Sequence, residues 1–265
     1  MTVQRLLETK TDHLAADFSA AVFSLLRHMK YDILQTTERK RKQKMRKETD
    51  LEAVKETLID FLYMPIERTN LPAFIAVQHP IFESAVAAGP DGKIVDLMTQ
   101  EGHSKVVKAK EKYMRTLETP IQCLMSVRQS YYLTFLKYIK EDLSLSDFSE
   151  MLGECWTEEE NPNGDVNVST SMAARWFRQA DKKALMNNDE YEVYSELPET
   201  FTVYRGVTPG HNPDGMSWTR ERDKAEWFAN RFGEGYILKG TAKKKMFSHF
   251  SVDAVKKKSL SKRKM

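Results

Sequence analysis

The chain has only two cysteines, Cys123 and Cys155, in 265 residues. Neither has a Cys-x-x-Cys partner or a histidine close in sequence, so no zinc site and no disulfide scaffold is indicated, and a reducing, cytoplasmic setting is expected. Long apolar runs are also missing. No stretch approaches the roughly 20 residues needed to cross a bilayer, which argues against a membrane-spanning class and against a membrane partner. Glu8, Asp12 and Asp17 fall early in the chain, where a signal peptide would be basic and then apolar, so a soluble intracellular protein is expected. A strong charge of one sign is absent too. The net charge of +3 arises in residues 251–265, where Lys256, Lys257, Lys258, Lys262, Arg263 and Lys264 oppose Asp253 alone, a local +5 that leaves the other 250 residues at −2. The body of the protein therefore has no strong pull toward phosphate backbones.

What is present is a globular composition. Apolar residues make up 41%, charged residues 30% and aromatics 10%, far from the low-hydrophobicity, high-charge signature of disorder. The length allows one large domain or two ordinary ones, with a sizeable core and no need of a covalent or metal staple.

Over residues 10–36 the apolar positions Leu14, Phe18, Ala21, Val22, Leu25, Met29 and Ile33 recur every three or four residues, which predicts a long amphipathic helix. It leads into seven basic residues within the nine positions 39–47. These read as a solvated helix end, favoured by the macrodipole, with nucleic-acid or membrane-surface contact as the alternative. Thr49-Asp50 opens a second periodic segment through Leu51, Val54, Leu58, Phe61 and Leu62, halted by Pro65. Further helices are predicted over 80–88, 95–117 and 120–142, with Gly89-Pro90-Asp91-Gly92 as a turn. Residues 1–150 thus read as a helical region without a recognisable catalytic motif; His13, His28, His79 and His103 are too far apart for one based on spacing.

The pattern changes near residue 150. Residues 158–165 form a polar, turn-rich link, after which Ser169, Thr170 and Ser171 are N-cap candidates for a helix bearing Met172, Ala173, Trp176 and Phe177. A short helix over 189–195 precedes Pro198, and from Thr200 the period becomes two: Phe201, Val203, Arg205 and Val207 share one strand face, with Thr202, Tyr204 and Gly206 on the other. Gly235-Tyr236-Ile237-Leu238-Lys239-Gly240-Thr241 reads as another strand. The predicted class is α+β, with a helical region over 1–150 and a small mixed β core with flanking helices over 151–265.

Within that second region three segments stand in order: Thr202-Val203-Tyr204-Arg205-Gly206, then Ser217-Trp218-Thr219 twelve residues after Arg205, then Ala225-Glu226-Trp227-Phe228-Ala229-Asn230-Arg231-Phe232. Alternation puts both hydroxyls of the second segment on one face of a short strand, and Ala225, Phe228, Ala229 and Phe232 line one face of a helix. An arginine can grip phosphate oxygens with two donors at once, and Gly206 beside it would let backbone approach a ligand.

Over residues 200–250 this order resembles the NAD-binding half of the arginine-serine-glutamate class of ADP-ribosyltransferases, including the compact versions found in bacteria and phages. The resemblance implies NAD as substrate, with Arg205 binding its phosphates, Ser217 orienting the nicotinamide ribose and the acidic residue, and Thr219 supporting the second strand. Tyr204, Trp218 and Phe228 would be pocket wall or core.

The same resemblance exposes a gap. Cleavage of NAD builds positive charge on the ribose, and the family stabilises it with a late glutamate. After Glu234 this chain has no glutamate, and Asp253 is its one remaining acid. Written GCC GTG AAA AAG AAG TCA TTG TCG, codons 254–261 read from the last base of the first codon give Arg-Glu-Lys-Glu-Val-Ile-Val, a strand ending of the family's type. The expectation is a frameshift that replaced the catalytic strand with a lysine-rich tail. Three functions follow as alternatives: a mono-ADP-ribosyltransferase acting on a protein target, a catalytically dead binding module of the same fold, and a helical nucleic-acid-interacting protein using residues 39–47 and the terminal lysines.

Overall fold

A computed structural model describes residues 46–69, 76–159, 161–211 and 213–244. All described residues belong to one compact unit, within residues 45–265. The long helix predicted over 10–36, most of the basic run 39–47 and the tail beyond 244 lie outside the described residues. Of that run Arg46 and Lys47 are described, and Arg46 is bound in place, its guanidinium on Asp50 at 2.9 Å and Asp142 at 3.2 Å.

Helix α1, Leu51–Leu62, starts where Asp50 accepts the Ala53 N–H and buries Val54, Leu58, Phe61 and Leu62 on one face. Two short antiparallel hairpins follow: β1 (Glu67–Arg68) with β2 (Val77–Gln78), and β3 (Val86–Ala88) with β4 (Ile94–Asp96). Gly92, at φ 75°, turns the second hairpin, as Gly89-Pro90-Asp91-Gly92 suggested. Helices α2 (Gln100–Met114), α3 (Pro120–Met125), α4 (Tyr132–Ile139), α5 (Leu145–Glu158), α6 (Thr170–Gln179), α7 (Lys182–Leu185) and α8 (Asn188–Ser195) come next. One core runs through them from Val54 to Leu185. Edge-to-face rings join its parts: Phe61 on Phe135, Phe148 on Trp176, and Trp156 on Phe177. Helix α5 carries the chain through residue 150 without a break.

The predicted helix over 80–88 does not form. The buried imidazole of His79 accepts the Ile81 and Phe82 N–H groups at Nδ1, which supplies the bonds a first helical turn would leave open, and Val86–Ala88 pairs as a strand instead. The helix over 95–117 begins only at Gln100, because Thr99 caps it and residues 94–96 are in β4. The stretch 120–142 is not one helix: 3-10 turns at Gln129–Tyr131 and Lys140–Asp142 flank α4. Ser169 caps α6 as anticipated, accepting the Met172 N–H.

The C-terminal sheet pairs β5 (Thr200–Val207) antiparallel with β6 (Tyr236–Lys243), setting Phe201 against Ala242, Val203 against Gly240 and Arg205 against Leu238. Phe201, Val203 and Ala242 form a second small core with Leu197. Helix α9, Arg222–Ala229, packs on β5 through Ala225 and Ala229, each 1% exposed. It ends before Phe232, which stands 67% exposed beyond the helix rather than on its buried face. The architecture is α+β.

Both cysteines are fully buried. Burial pushes the Cys123 thiol up to about 11 and raises that of Cys155 well above its ordinary value. A disulfide reagent at pH 8 is therefore expected to leave both thiols unmodified in the native protein and to modify both after denaturation; rapid native labelling of either would contradict this packing.

Candidate functional site

Arg205 sits in the middle of β5 with its guanidinium turned onto the loop that follows. Its Nε donates to the Pro213 carbonyl at 3.0 Å and its Nη1 to the Ser217 carbonyl at 2.8 Å. Burial lowers its pKa, while the charges of Asp214 and Tyr236 act the other way. Gly215 lies under this contact: a Cβ there would stand 2.1 Å from Nη2 of Arg205. The guanidinium thus holds the loop that carries Ser217.

Ser217-Trp218-Thr219 does not form the predicted strand. It is an extended segment with a single antiparallel bridge, Thr219 to Tyr204, on the edge of β5 opposite β6. Both backbone bonds of that bridge are short, 2.7 and 2.8 Å. The Thr219 hydroxyl accepts the Glu221 N–H at 3.1 Å and so helps turn the chain into α9. Trp218 packs over Gly240, where a Cβ would meet its ring at 3.4 Å. Gly206 differs from its expected role: its bare face meets the backbone of α9, with the Ala225 carbonyl oxygen 2.0 Å from where a Cβ would stand, so it serves close helix packing.

A cleft of about 930 Å³ opens between this segment and the helical core. Tyr204, Arg205, Gly206, Ser217, Trp218 and Thr219 line one side, and Phe228 with its edge-to-face neighbour Trp227 lies at the α9 end. All seven residues singled out from the sequence are therefore brought to one cavity. Arg231 stacks over Trp227 and over Phe232, at 5.6 and 4.8 Å from the ring centres.

The opposite wall comes from residues 156–159 and 161–166, which overlap the polar, turn-rich link expected over 158–165. The Asn163 side chain holds the two walls together: its Oδ1 accepts the Met216 N–H at 2.8 Å and its Nδ2 donates to the Ser217 hydroxyl at 3.4 Å. Asp165 is committed to structure, accepting the Asn167 and Val168 N–H groups at Oδ1 and the Thr134 hydroxyl at Oδ2. Glu159 is 7% exposed and accepts the Leu133 N–H at 3.2 Å, at the start of α4. Burial, reinforced by Asp165 and opposed by the Leu133 bond, raises its carboxyl pKa to about 7. Trp156 also lines the cleft, and among the described residues its buried indole N–H has no hydrogen-bond partner. The sequence signal for this wall was present only as polarity and turn residues.

Among the described residues no group of histidine, cysteine or acidic side chains has a metal-binding arrangement, and no helix is long and apolar enough to cross a membrane. No family model matches the chain, and neither a curated protein nor a solved structure matches it.

Proposed function

We propose that the cleft binds NAD and that the chain is a mono-ADP-ribosyltransferase-like protein with a protein target. The reading rests on one observation: Arg205 and Ser217, twelve residues apart, meet through a 2.8 Å hydrogen bond on the wall of a single cleft of about 930 Å³. That volume lies in the range of ligand and cofactor pockets. A guanidinium in a partly desolvated wall is a strong partner for pyrophosphate oxygens, and the aromatic surfaces of Trp218, Trp227 and Phe228 offer stacking for the two base rings.

In this reading Arg205 contributes twice, through its charge and by holding the Ser217 loop. Gly215→Ala tests whether the position of the guanidinium matters. The added methyl meets the end of a flexible side chain, so the fold persists at a cost of about 1 kcal/mol, while NAD affinity falls roughly tenfold as the guanidinium is displaced. Unchanged affinity in titration calorimetry would show that the guanidinium position does not matter.

The lack of any glutamate after Glu234 favours a second form of the reading, a catalytically dead module that binds NAD without transferring it. Incubation with labelled NAD and a cell lysate separates the two. The chain as it stands and a version with Arg-Glu-Lys-Glu-Val-Ile-Val restored at the shifted frame are compared. Transfer that disappears in Arg205→Ala supports the enzyme, with arginine side chains as the acceptors that a Glu-x-Glu ending implies. No transfer from either version supports the binding module. Codons at 254–261 unable to encode Glu-x-Glu in any shifted frame would end the frameshift idea.

A further inference from the structure

The cleft contains an acid that belongs to neither the arginine-serine segment nor the tail. Glu159 ends α5, lines the cavity and is almost completely buried. Its Oε2 is held by the Leu133 N–H, and among the described residues Oε1 has no hydrogen-bond partner. Capping one N–H requires only an acceptor, which a neutral side chain supplies without the cost of burying an ionisable one. Asp165 next to it has both oxygens engaged, so it is not available in the same way. One turn back on the same helix, the N–H of Trp156 is a second polar group in the same wall without a partner among the described residues, and buried polar groups left so are uncommon unless a ligand or water completes them.

We propose that Glu159 is the proton acceptor of this cleft, its Oε1 taking the proton from a water molecule that attacks the nicotinamide ribose of a bound dinucleotide. The inference rests on the NAD reading above. In the step, the water oxygen forms a bond to C1′ of the ribose and the bond from C1′ to the nicotinamide nitrogen breaks. The electron pair of that bond leaves with neutral nicotinamide, and the water proton passes to Glu159 and then to solvent. The balance is NAD⁺ + H₂O → ADP-ribose + nicotinamide + H⁺. A carboxyl that titrates at about 7 is well matched to this transfer near neutral pH. The charge that bears on its titration is that of Asp165 in the following loop, and its own charge in turn raises the Cys155 thiol on the same helix; Glu158 and Arg128 are the other charged groups nearby that line the cleft.

The test measures NAD hydrolysis by the full chain from pH 5.5 to 8.5, by chromatography of ADP-ribose, alongside NAD affinity by calorimetry, in the parent and in Glu159→Gln. The parent's kcat should rise with pH through a midpoint near 7. The variant, whose amide oxygen still accepts the Leu133 N–H, should lose roughly 100-fold in kcat and lose the pH dependence, with Kd unchanged within about twofold. A variant that keeps the parent's kcat and profile overturns the inference and leaves NAD binding standing. So does a parent that binds NAD without hydrolysing it, or one whose profile is flat, a measurement that does not depend on the variant folding. A variant that loses affinity along with turnover assigns Glu159 to binding and likewise overturns it. A parent that does not bind NAD removes both this inference and the reading beneath it.

Discussion

Gly206→Ala detaches helix α9 from the sheet and removes one wall of the cleft. A Cβ at position 206 would stand 2.0 Å from the Ala225 carbonyl oxygen and 2.6 Å from the Ala229 nitrogen. Both are backbone atoms of α9, which cannot yield as a side-chain end can. Relief requires moving the whole helix. Overpacking of this kind costs roughly 3 kcal/mol, and α9 is held with little to oppose it, since Ala225 and Ala229 are its buried residues. Gly235, just before the other strand, closes the same packing, its Cβ position lying 2.1 Å from the Ala229 oxygen and 2.3 Å from the Val207 oxygen. The large core from Val54 to Leu185 is separate from this contact. Hydrogen exchange should therefore show lost protection over 200–207 and 222–229 with protection kept in α1 to α6. A variant with the parent's exchange pattern would mean that the helix does not sit against the strand at this distance.

The second large effect is on stability as a function of pH. Below pH 4.5, the ordinary value for a glutamate, Glu159 is protonated in both the folded and unfolded chain and contributes nothing. Between 4.5 and about 7 the unfolded chain gives up a proton that burial and Asp165 make the folded chain retain. Stability is lost as pH rises across that window, by about 3 kcal/mol in all. Glutamine cannot ionise, so Glu159→Gln is expected to gain that amount over the parent between pH 4.5 and 7, read from urea midpoints at a series of pH values. His79 works in the opposite sense. Burial holds its pKa down to about 4 from 6.5, with His103 and Arg128 adding to the effect and the bond to the Met64 carbonyl opposing it. As pH falls from 6.5 the unfolded chain takes up a proton that the folded chain refuses, and about 3 kcal/mol is lost by pH 4. From 4.5 to 6.5 the two slopes cancel in the parent. In Glu159→Gln the histidine contribution stands alone, about 1.4 kcal/mol per pH unit toward acid. A stability difference between variant and parent that stays constant from pH 4.5 to 7 would contradict the placement of Glu159 in a desolvated wall.

Local chemistry made much of the C-terminal sheet legible in the sequence. Period-two alternation marked β5, a further apolar stretch marked β6, Ser169 marked the start of α6, and Gly89-Pro90-Asp91-Gly92 marked a turn, expected between helices and found between strands, because each is decided by neighbouring residues. The front half was read as too helical. There His79 satisfies the N–H groups of Ile81 and Phe82 with its own ring, and periodicity cannot anticipate that a side chain replaces a helical turn. The candidate site was half visible. Arg205 and Ser217 were found from order and spacing, whereas what the guanidinium holds, the carbonyls of Pro213 and Ser217, depends on the path of a loop. Gly206 was marked as a place of close approach, but strand pattern does not say that the backbone of α9 is what covers its bare face. Glu159 and Asn163 were lost in a stretch of turn residues because their meaning comes from α4 and from the Met216-Ser217 segment, which lie near them only in the folded chain.

Titration of the purified full chain with NAD, followed by calorimetry, tests the central claim most directly. Saturable binding should appear in the parent and weaken at least roughly tenfold in Arg205→Ala, in line with the loss of a charge-assisted pair to phosphate, in a variant that loses its bonds to the Pro213 and Ser217 carbonyls and melts lower but is still folded at the temperature of the titration. Absence of saturable binding in the parent, or equal affinity in the two proteins, would contradict it.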